Sequence, residues 1–182
     1  ITEMGIARTF QNIRLYKELS VIDNVKIGFH DQMNYSTTNA VMRNRFYWKE
    51  EANIERQAME LLAVFDLQHL ANAKASNLPY GAQRRLEIVR ALATNPRLLL
   101  LDEPAAGMNP AETVDLMENI VRIRDDFKIA VLLIEHDMKL VMGICEGICV
   151  LNFGKVIAKG TAEEIQSNPV VIEAYLGNRK EN

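Results

Sequence analysis

Apolar positions recur along this chain in two rhythms, and the change from one to the other divides it. Val21 to His30 has helical spacing, with Ser20 or Asp23 near the start of a short helix. Residues 31–49 (DQMNYSTTNAVMRNRFYWK) are polar, then basic and aromatic, and predict a variable connection. Ile54, Ala58, Leu61, Leu62 and Phe65 then fall at i, i+4, i+7, i+8 and i+11, one face of an amphipathic helix. Another helix begins beside Gly81, keeps Leu86, Val89 and Ala93 in helical spacing, and stops at Asn95-Pro96.

Beyond residue 96 the runs become continuous. Leu98–Leu101 ends in Asp102-Glu103-Pro104, as expected of a strand buried on both faces of a parallel sheet. Residues 111–124 predict an amphipathic helix with Val114, Met117 and Val121 on its apolar face. Ile129–Ile134 is a second buried-strand run, followed by Glu135-His136-Asp137. Strand, helix, strand in this order implies a right-handed parallel crossover. Ile148–Leu151 and Val156–Ala158, joined by Asn152-Phe153-Gly154-Lys155, predict a hairpin. Thr161 with Glu164 forms a capping box, and Asn168-Pro169 opens a last helix that Gly177 closes. The expected fold class is α/β: a mainly helical first half, then a mostly parallel sheet with flanking helices.

Composition narrows the function classes. The 182 residues carry 21 Lys+Arg against 24 Asp+Glu, a net charge of −3, with 48% hydrophobic and 25% charged residues. That supports a sizeable core and excludes disorder. It lacks the basic excess of a polyanion binder and any run of roughly 18 apolar residues that would span a membrane. Cys145 and Cys149 sit four apart in an apolar run and read as small buried hydrophobes of a reducing interior. The three histidines, His30, His69 and His136, are scattered, so no structural zinc site is expected.

Four features carry candidate chemistry. Asp102 and Glu103 close a buried parallel strand, where α/β sheets bind ligands; one carboxylate there can hold Mg²⁺ through water while the next polarises an attacking water. His136 follows the next predicted strand, so the crossover would bring it beside Glu103 to hydrogen-bond a terminal phosphate oxygen. Gly81 precedes a helix N-terminus, whose free N–H groups and positive dipole suit phosphate. Gln11, in GIARTFQNIRL, carries an amide that can reach a metal or a water. Singly, each has a plainer reading: a solvated acidic turn, a surface histidine, an ordinary cap, a polar loop side chain.

In this order they are more telling. Gln, a Gly-led helix, strand-DEP and strand-EHD resemble the second part of an ATP-binding-cassette (ABC) ATPase, from about Gly5 to Gly177. The segments GIARTFQNIRLY, EPAAGMNPAET, LLIEHDMKLVMGICEGICVLNFGKVIAKGTAEEI and NPVVIEAYLG look most like ATP-binding subunits of branched-chain amino-acid importers. The resemblance implies a partial P-loop NTPase fold. Residues 1–14 would be the end of the core with the glutamine loop, 15–96 a helical subdomain with the signature motif, and 97–182 the rest of the core. It implies ATP and Mg²⁺ as ligands, with Gln11 and Asp102 supporting the metal, Glu103 as catalytic base and His136 on the γ-phosphate. Gly81, Ala82 and Gln83 of the signature segment, with Asn109 of the D-loop, would face the ATP of a second ATPase subunit. The glutamine loop and helical subdomain would dock on membrane permease subunits, placing the protein in the cytoplasm on the inner face of the membrane; no nucleic acid is implied.

The chain also departs from the family. Its signature is Leu78-Pro79-Tyr80-Gly81-Ala82 where LSGGQ is common, and Pro79 offers neither a hydroxyl nor an N–H. Asn109 stands where the D-loop usually has Asp. No G-x-x-x-x-G-K-[ST] occurs, the first residue is Ile1, and the sequence reads as if its front were missing. The 182 residues alone are therefore expected neither to bind ATP tightly nor to hydrolyse it. Leu98–Leu101 and Ile129–Ile134 are expected to expose apolar strand edges that invite pairing with another chain. The alternative to an importer ATPase is an inert ATPase-like module for binding or assembly; a soluble ABC ATPase of DNA repair or translation is less favoured. Arg43–Lys49, though basic and aromatic, is expected to be a surface loop rather than a nucleic-acid contact. Arg84, Arg85 and Arg90 are expected on a solvated face.

Overall fold

The computed structural model describes residues 2–30 and 37–176. Packing divides the chain into two compact units, Ile1–Ile134 and Glu135–Asn182, a division made at a different place from the motif boundaries near 14 and 96.

The first unit is organised by three parallel strands, β1 (Ile6–Arg8), β2 (Leu98–Asp102) and β3 (Ala130–Ile134), in the order β1-β2-β3. Ile6 pairs with Leu98, Leu98 with Ala130, and Asp102 with Ile134, so the carboxyl ends of β2 and β3 come level. The Leu98–Leu101 strand is thus not an edge: it lies in the middle, with Leu99 and Leu101 fully buried. Its neighbour β1 is only three residues long, too short to show a period in the sequence. The other run behaves differently from expectation. Leu132 and Ile134 of β3 are 55% and 56% exposed, so this strand is not buried on both faces among the described residues.

The crossover from β2 to β3 is helix α5 (Pro110–Phe127), opened by a capping box of Asn109 and Glu112 and closed by Lys128 in a left-handed conformation. Its buried face is Leu116, Ile120 and Ile123, with Val114 exposed. The predicted stripe of Val114, Met117 and Val121 is rotated from the real one. Both sets are apolar at helical spacing, and the choice between them is made by what the helix packs on.

Between β1 and β2 lie α1 (Val21–Gly28), α2 (Thr37–Met42), α3 (Arg45–Val64) and α4 (Tyr80–Leu92). Ser20 caps α1 by accepting the Asp23 N–H at 3.1 Å. Val21, Val25, Ala58, Leu62, Leu86 and Val89 are all fully buried and join α1, α3 and α4 in one core. A Cβ on Gly28 would sit 2.6 Å from the Arg90 carbonyl oxygen and 2.7 Å from the Ala93 Cβ, so the close approach of α1 to α4 requires glycine. The expected loop at 43–49 is corrected. Arg45–Lys49 form the first turn of α3, because Asn44 accepts the Tyr47 N–H at 3.0 Å and starts the helix there. That turn is mostly exposed, and its consecutive Phe46, Tyr47 and Trp48 have no helical apolar spacing to reveal it. The part of the predicted connection at 31–36 lies outside the described residues.

The second unit contains α6 (Met138–Ile144), the hairpin β4 (Ile148–Asn152) and β5 (Lys155–Gly160), then α7 (Ala162–Ser167) and α8 (Pro169–Leu176). Helix α6, which the apolar spacing did not predict, is capped by the Asp137 side chain. Phe153 and Gly154 have φ of 46° and 76°, the two left-handed residues of a tight hairpin turn. Thr161 and Glu164 form the predicted capping box. Val150, Ile165 and Val171 make the unit's own core. Gly177, expected to end the last helix, lies outside the described residues.

Candidate functional site

Three of the predicted site residues meet at the carboxyl end of β2. The Gln11 side-chain Nε2 donates to Glu103 Oε2 at 2.8 Å across a sequence separation of 92. The Asp102 carboxylate, next along the chain, accepts from Arg8 Nη2 of β1 at 2.8 Å. Thr9, buried between them, donates its N–H to the Leu100 carbonyl at 2.9 Å and accepts the Asp102 N–H on its hydroxyl at 3.4 Å. The parallel pairing of β1 with β2 therefore delivers the glutamine and both carboxylates to one place.

Glu103 has φ of +45°, in the left-handed region. For a residue with a Cβ this costs on the order of 1–2 kcal/mol. Two neighbours hold it there. Its own N–H donates to the Ile134 carbonyl at 2.9 Å, and its carbonyl accepts Arg84 Nη2 at 2.7 Å.

Arg84 corrects the sequence reading most sharply. Expected on a solvated face, its side chain is fully buried. Nε donates to the Pro104 carbonyl at 3.3 Å, and Nη2 to the carbonyls of Asp102 at 3.2 Å and Glu103 at 2.7 Å. Nη1 donates to the Phe10 carbonyl and to Glu87 Oε2, the latter at 3.0 Å. The buried Glu87 also accepts the Arg14 N–H at 3.2 Å. The buried charge is tolerable because its donors are matched by four carbonyls and a carboxylate. Arg90 is half-buried, and burial holds its guanidinium below the ordinary arginine range, opposed by Glu87 and Tyr16. The sequence contained one weak signal for the buried pair, opposite charges at i and i+3 beside an apolar stripe.

The signature segment packs onto the D-loop region of its own unit. Pro79 precedes the first turn of α4 and supplies no side-chain cap. Gly81 and Ala82 are buried, and the Gln83 amide donates to the Leu78 carbonyl at 2.8 Å. A Cβ on Gly81 would lie 2.5 Å from Glu112 Oε1. Glu112 in turn accepts the Asn109 N–H at 3.0 Å, so Gly81 and Asn109 share one neighbour. Gly107, with φ of +77°, lies under the Tyr80 ring.

His136 belongs to the second unit. Its side chain is 73% exposed, and its N–H donates to Glu135 Oε2 at 3.1 Å. Among the described residues no group of three or more His, Cys, Asp or Glu is placed to hold a metal ion alone. The oxygens of Asp102 and Gln11 are hard donors, and magnesium takes few protein ligands and completes its shell with water and phosphate. Oxygen donors of this kind are compatible with magnesium.

The first unit also holds an open cleft of about 750 Å³, lined by Arg14, Tyr16, Ile27, His30, Arg90 and Thr94 among others. Arg90 lies over the Tyr16 ring at 5.7 Å, and Phe10 is flanked by Arg14 at 4.3 Å and Arg8 at 5.5 Å.

Comparison with known proteins agrees with the motif order. Residues 1–106 match the ABC transporter family, and residues 155–181 match the family described as branched-chain amino acid ATP-binding cassette transporter. The chain is 47% identical over 178 residues to the high-affinity branched-chain amino acid transport ATP-binding protein LivG of Salmonella typhimurium, covering 97% of this chain and 69% of that protein. It is 45% identical over 177 residues to BraF of Pseudomonas aeruginosa, again covering 97% of this chain and 69% of that protein. Among solved structures, the ADP conformation of MJ1267, an ATP-binding cassette of an ABC transporter, matches with a TM-score of 0.77 at 33% identity, over 97% of this chain and 70% of that one.

Proposed function

The chain belongs to the ATP-binding proteins of ABC transporters, which couple hydrolysis of ATP to transport, and from that premise we propose that it serves a branched-chain amino-acid importer. The substrate class rests on the LivG and BraF names and on the match of residues 155–181. The observation that carries the chemistry is the Gln11–Glu103 contact of 2.8 Å beside Asp102 at the end of β2.

In this reading Glu103 accepts a proton from the water that attacks the terminal phosphate. Gln11 orients that water and the carboxylate together. Asp102 and the Gln11 amide oxygen would hold Mg²⁺, which supplies charge neutralisation on the phosphates. Arg8, which now donates to Asp102 at 2.8 Å, would have to give up that contact for the carboxylate to hold a metal. For His136 the proposed γ-phosphate contact rests on its place in the motif order alone. Gly81, Ala82, Gln83 and Asn109 would form the surface offered to a second ATPase subunit, acting through backbone N–H groups and the dipole of α4 rather than through side chains.

The cleft between the glutamine-loop segment, α1 and α4 is the proposed seat for a permease segment. Its aromatic and cationic lining suits an acidic or apolar peptide, and it includes Arg14 and Tyr16, a few residues beyond Gln11 in the chain. Among the described residues no helix is long and apolar enough to cross a membrane, so attachment to the inner face of the membrane would come through that partner.

The test is Glu103→Gln in the transporter assembled with its permease in lipid vesicles. ATP binding is expected to persist while turnover falls by about 10²–10⁴, the usual contribution of a general base. Turnover unchanged in Glu103→Gln would remove Glu103 from this role.

A further inference from the structure

We propose that Arg84 is a positioning residue for hydrolysis, fixing Gln11 and Glu103 in register through their backbones. The proposal rests on the reading of Glu103 as the base. It comes from where the five donated hydrogen bonds go. The carbonyls of Asp102 and Glu103 lie on either side of the Glu103 Cα, and both accept from Arg84 Nη2, at 3.2 and 2.7 Å. Holding both peptide planes leaves the Glu103 Cα–Cβ bond one direction, which is what a left-handed φ of +45° needs to persist. The same guanidinium donates to the Phe10 carbonyl, part of the peptide bond to Gln11. Its partner Glu87 accepts the Arg14 N–H at 3.2 Å, so the glutamine segment is held on both sides of Gln11.

A single planar group therefore ties two chain segments whose side chains meet 2.8 Å apart. Both ends of the clamp, Arg84 and Glu87, stand on α4, the helix that begins at the signature segment. A movement of α4 would be felt at once by the base and by the glutamine. The ion pair with Glu87 by itself does not call for such an arrangement, since a buried pair is often replaced by packed apolar residues without loss; the four carbonyls are what set the guanidinium here. Planarity and five donors in a fixed fork are properties that lysine does not share.

The experiment uses the transporter assembled with its permease, carrying Arg84→Met with Glu87→Leu, which removes both charges together, and separately Arg84→Lys. Both variants are expected to melt below the parent, because carbonyls that accept from Arg84 lose their donor; turnover, read well below every midpoint, is expected to fall at least about tenfold, a loss of about 1.4 kcal/mol of transition-state stabilisation. A structural defect alone would not alter the coupling between Gln11→Ala and Glu103→Asp measured in turnover. Positioning by Arg84 predicts that this coupling, a factor of about 5 in the parent, collapses toward 1 in either Arg84 background. Folded variants with parental turnover, or a loss of turnover with the coupling intact, overturn the proposal. Should the double variant not fold, Arg84→Lys, which keeps the charge beside Glu87, carries the same test. Glu103→Gln run alongside separates the two ideas. If it retains turnover, the reading of Glu103 fails and the proposal with it; if it abolishes turnover while the Arg84 variants do not, the proposal alone fails.

Discussion

Gly81→Ala offers a sharp test of how the signature segment is packed. The added Cβ would meet Glu112 Oε1 at 2.5 Å and Cδ at 2.9 Å, roughly 1 Å inside ordinary contact. Glu112 must move, and it is not idle: its Oε2 accepts the Asn109 N–H at 3.0 Å as one half of the capping box of α5. Losing that bond costs about 1 kcal/mol, and residual crowding adds about 0.5 kcal/mol. Alanine in the first turn of α4 returns about 0.5 kcal/mol. The net expectation for Gly81→Ala is a loss of about 1 kcal/mol, and Glu112→Ala alone should lose about the same. With Glu112 already truncated, the Cβ no longer meets its three nearest atoms, so the double variant should lose only about 0.5 kcal/mol, leaving a coupling of about −1.5 kcal/mol. Urea unfolding followed by circular dichroism measures all four proteins, and midpoints at constant slope give the differences. Additive losses, within about 0.5 kcal/mol, would refute the claim that Gly81 is required by the Glu112 carboxylate.

Two further outcomes follow from the same structure. Asn109→Ala should destabilise by about 1 kcal/mol by removing the acceptor of the Glu112 N–H, whereas Asn109→Asp keeps that acceptor, adds charge at the helix start and should change stability by no more than about 0.5 kcal/mol; urea midpoints decide. Burial pushes the Cys145 thiol above its ordinary value while Cys149 is exposed, so at pH 8 iodoacetamide should alkylate Cys149 faster, read by peptide mass spectrometry; equal rates would contradict the burial of Cys145.

Much of the fold was legible because some elements advertise themselves locally. The stripe of Ile54, Ala58, Leu61, Leu62 and Phe65 is buried as its spacing predicts, and so is Leu86 with Val89 and Ala93. The 148–160 hairpin and the Thr161 capping box needed only turn and cap chemistry. What stayed hidden was ambiguous or too short. Helix α5 carries two apolar stripes, and its own sequence cannot choose between Leu116-Ile120-Ile123 and Val114-Met117-Val121. Strand β1 has three residues, and the first turn of α3 is set by Asn44 rather than by any apolar period.

The site divides in the same way. The order Gln11, Gly81, Asp102-Glu103, His136 determined the family and the candidate chemistry, because motif order is a property of the chain in one dimension. Only the tertiary structure decided that Gln11 and Glu103 touch, through the parallel pairing of β1 with β2. It alone turned Arg84 inward, to carbonyls 18, 19, 20 and 74 residues away. A buried charge is compensated by its partners; Glu87 stands three residues on, but the four carbonyls are remote in sequence, and nothing near Arg84 announces them.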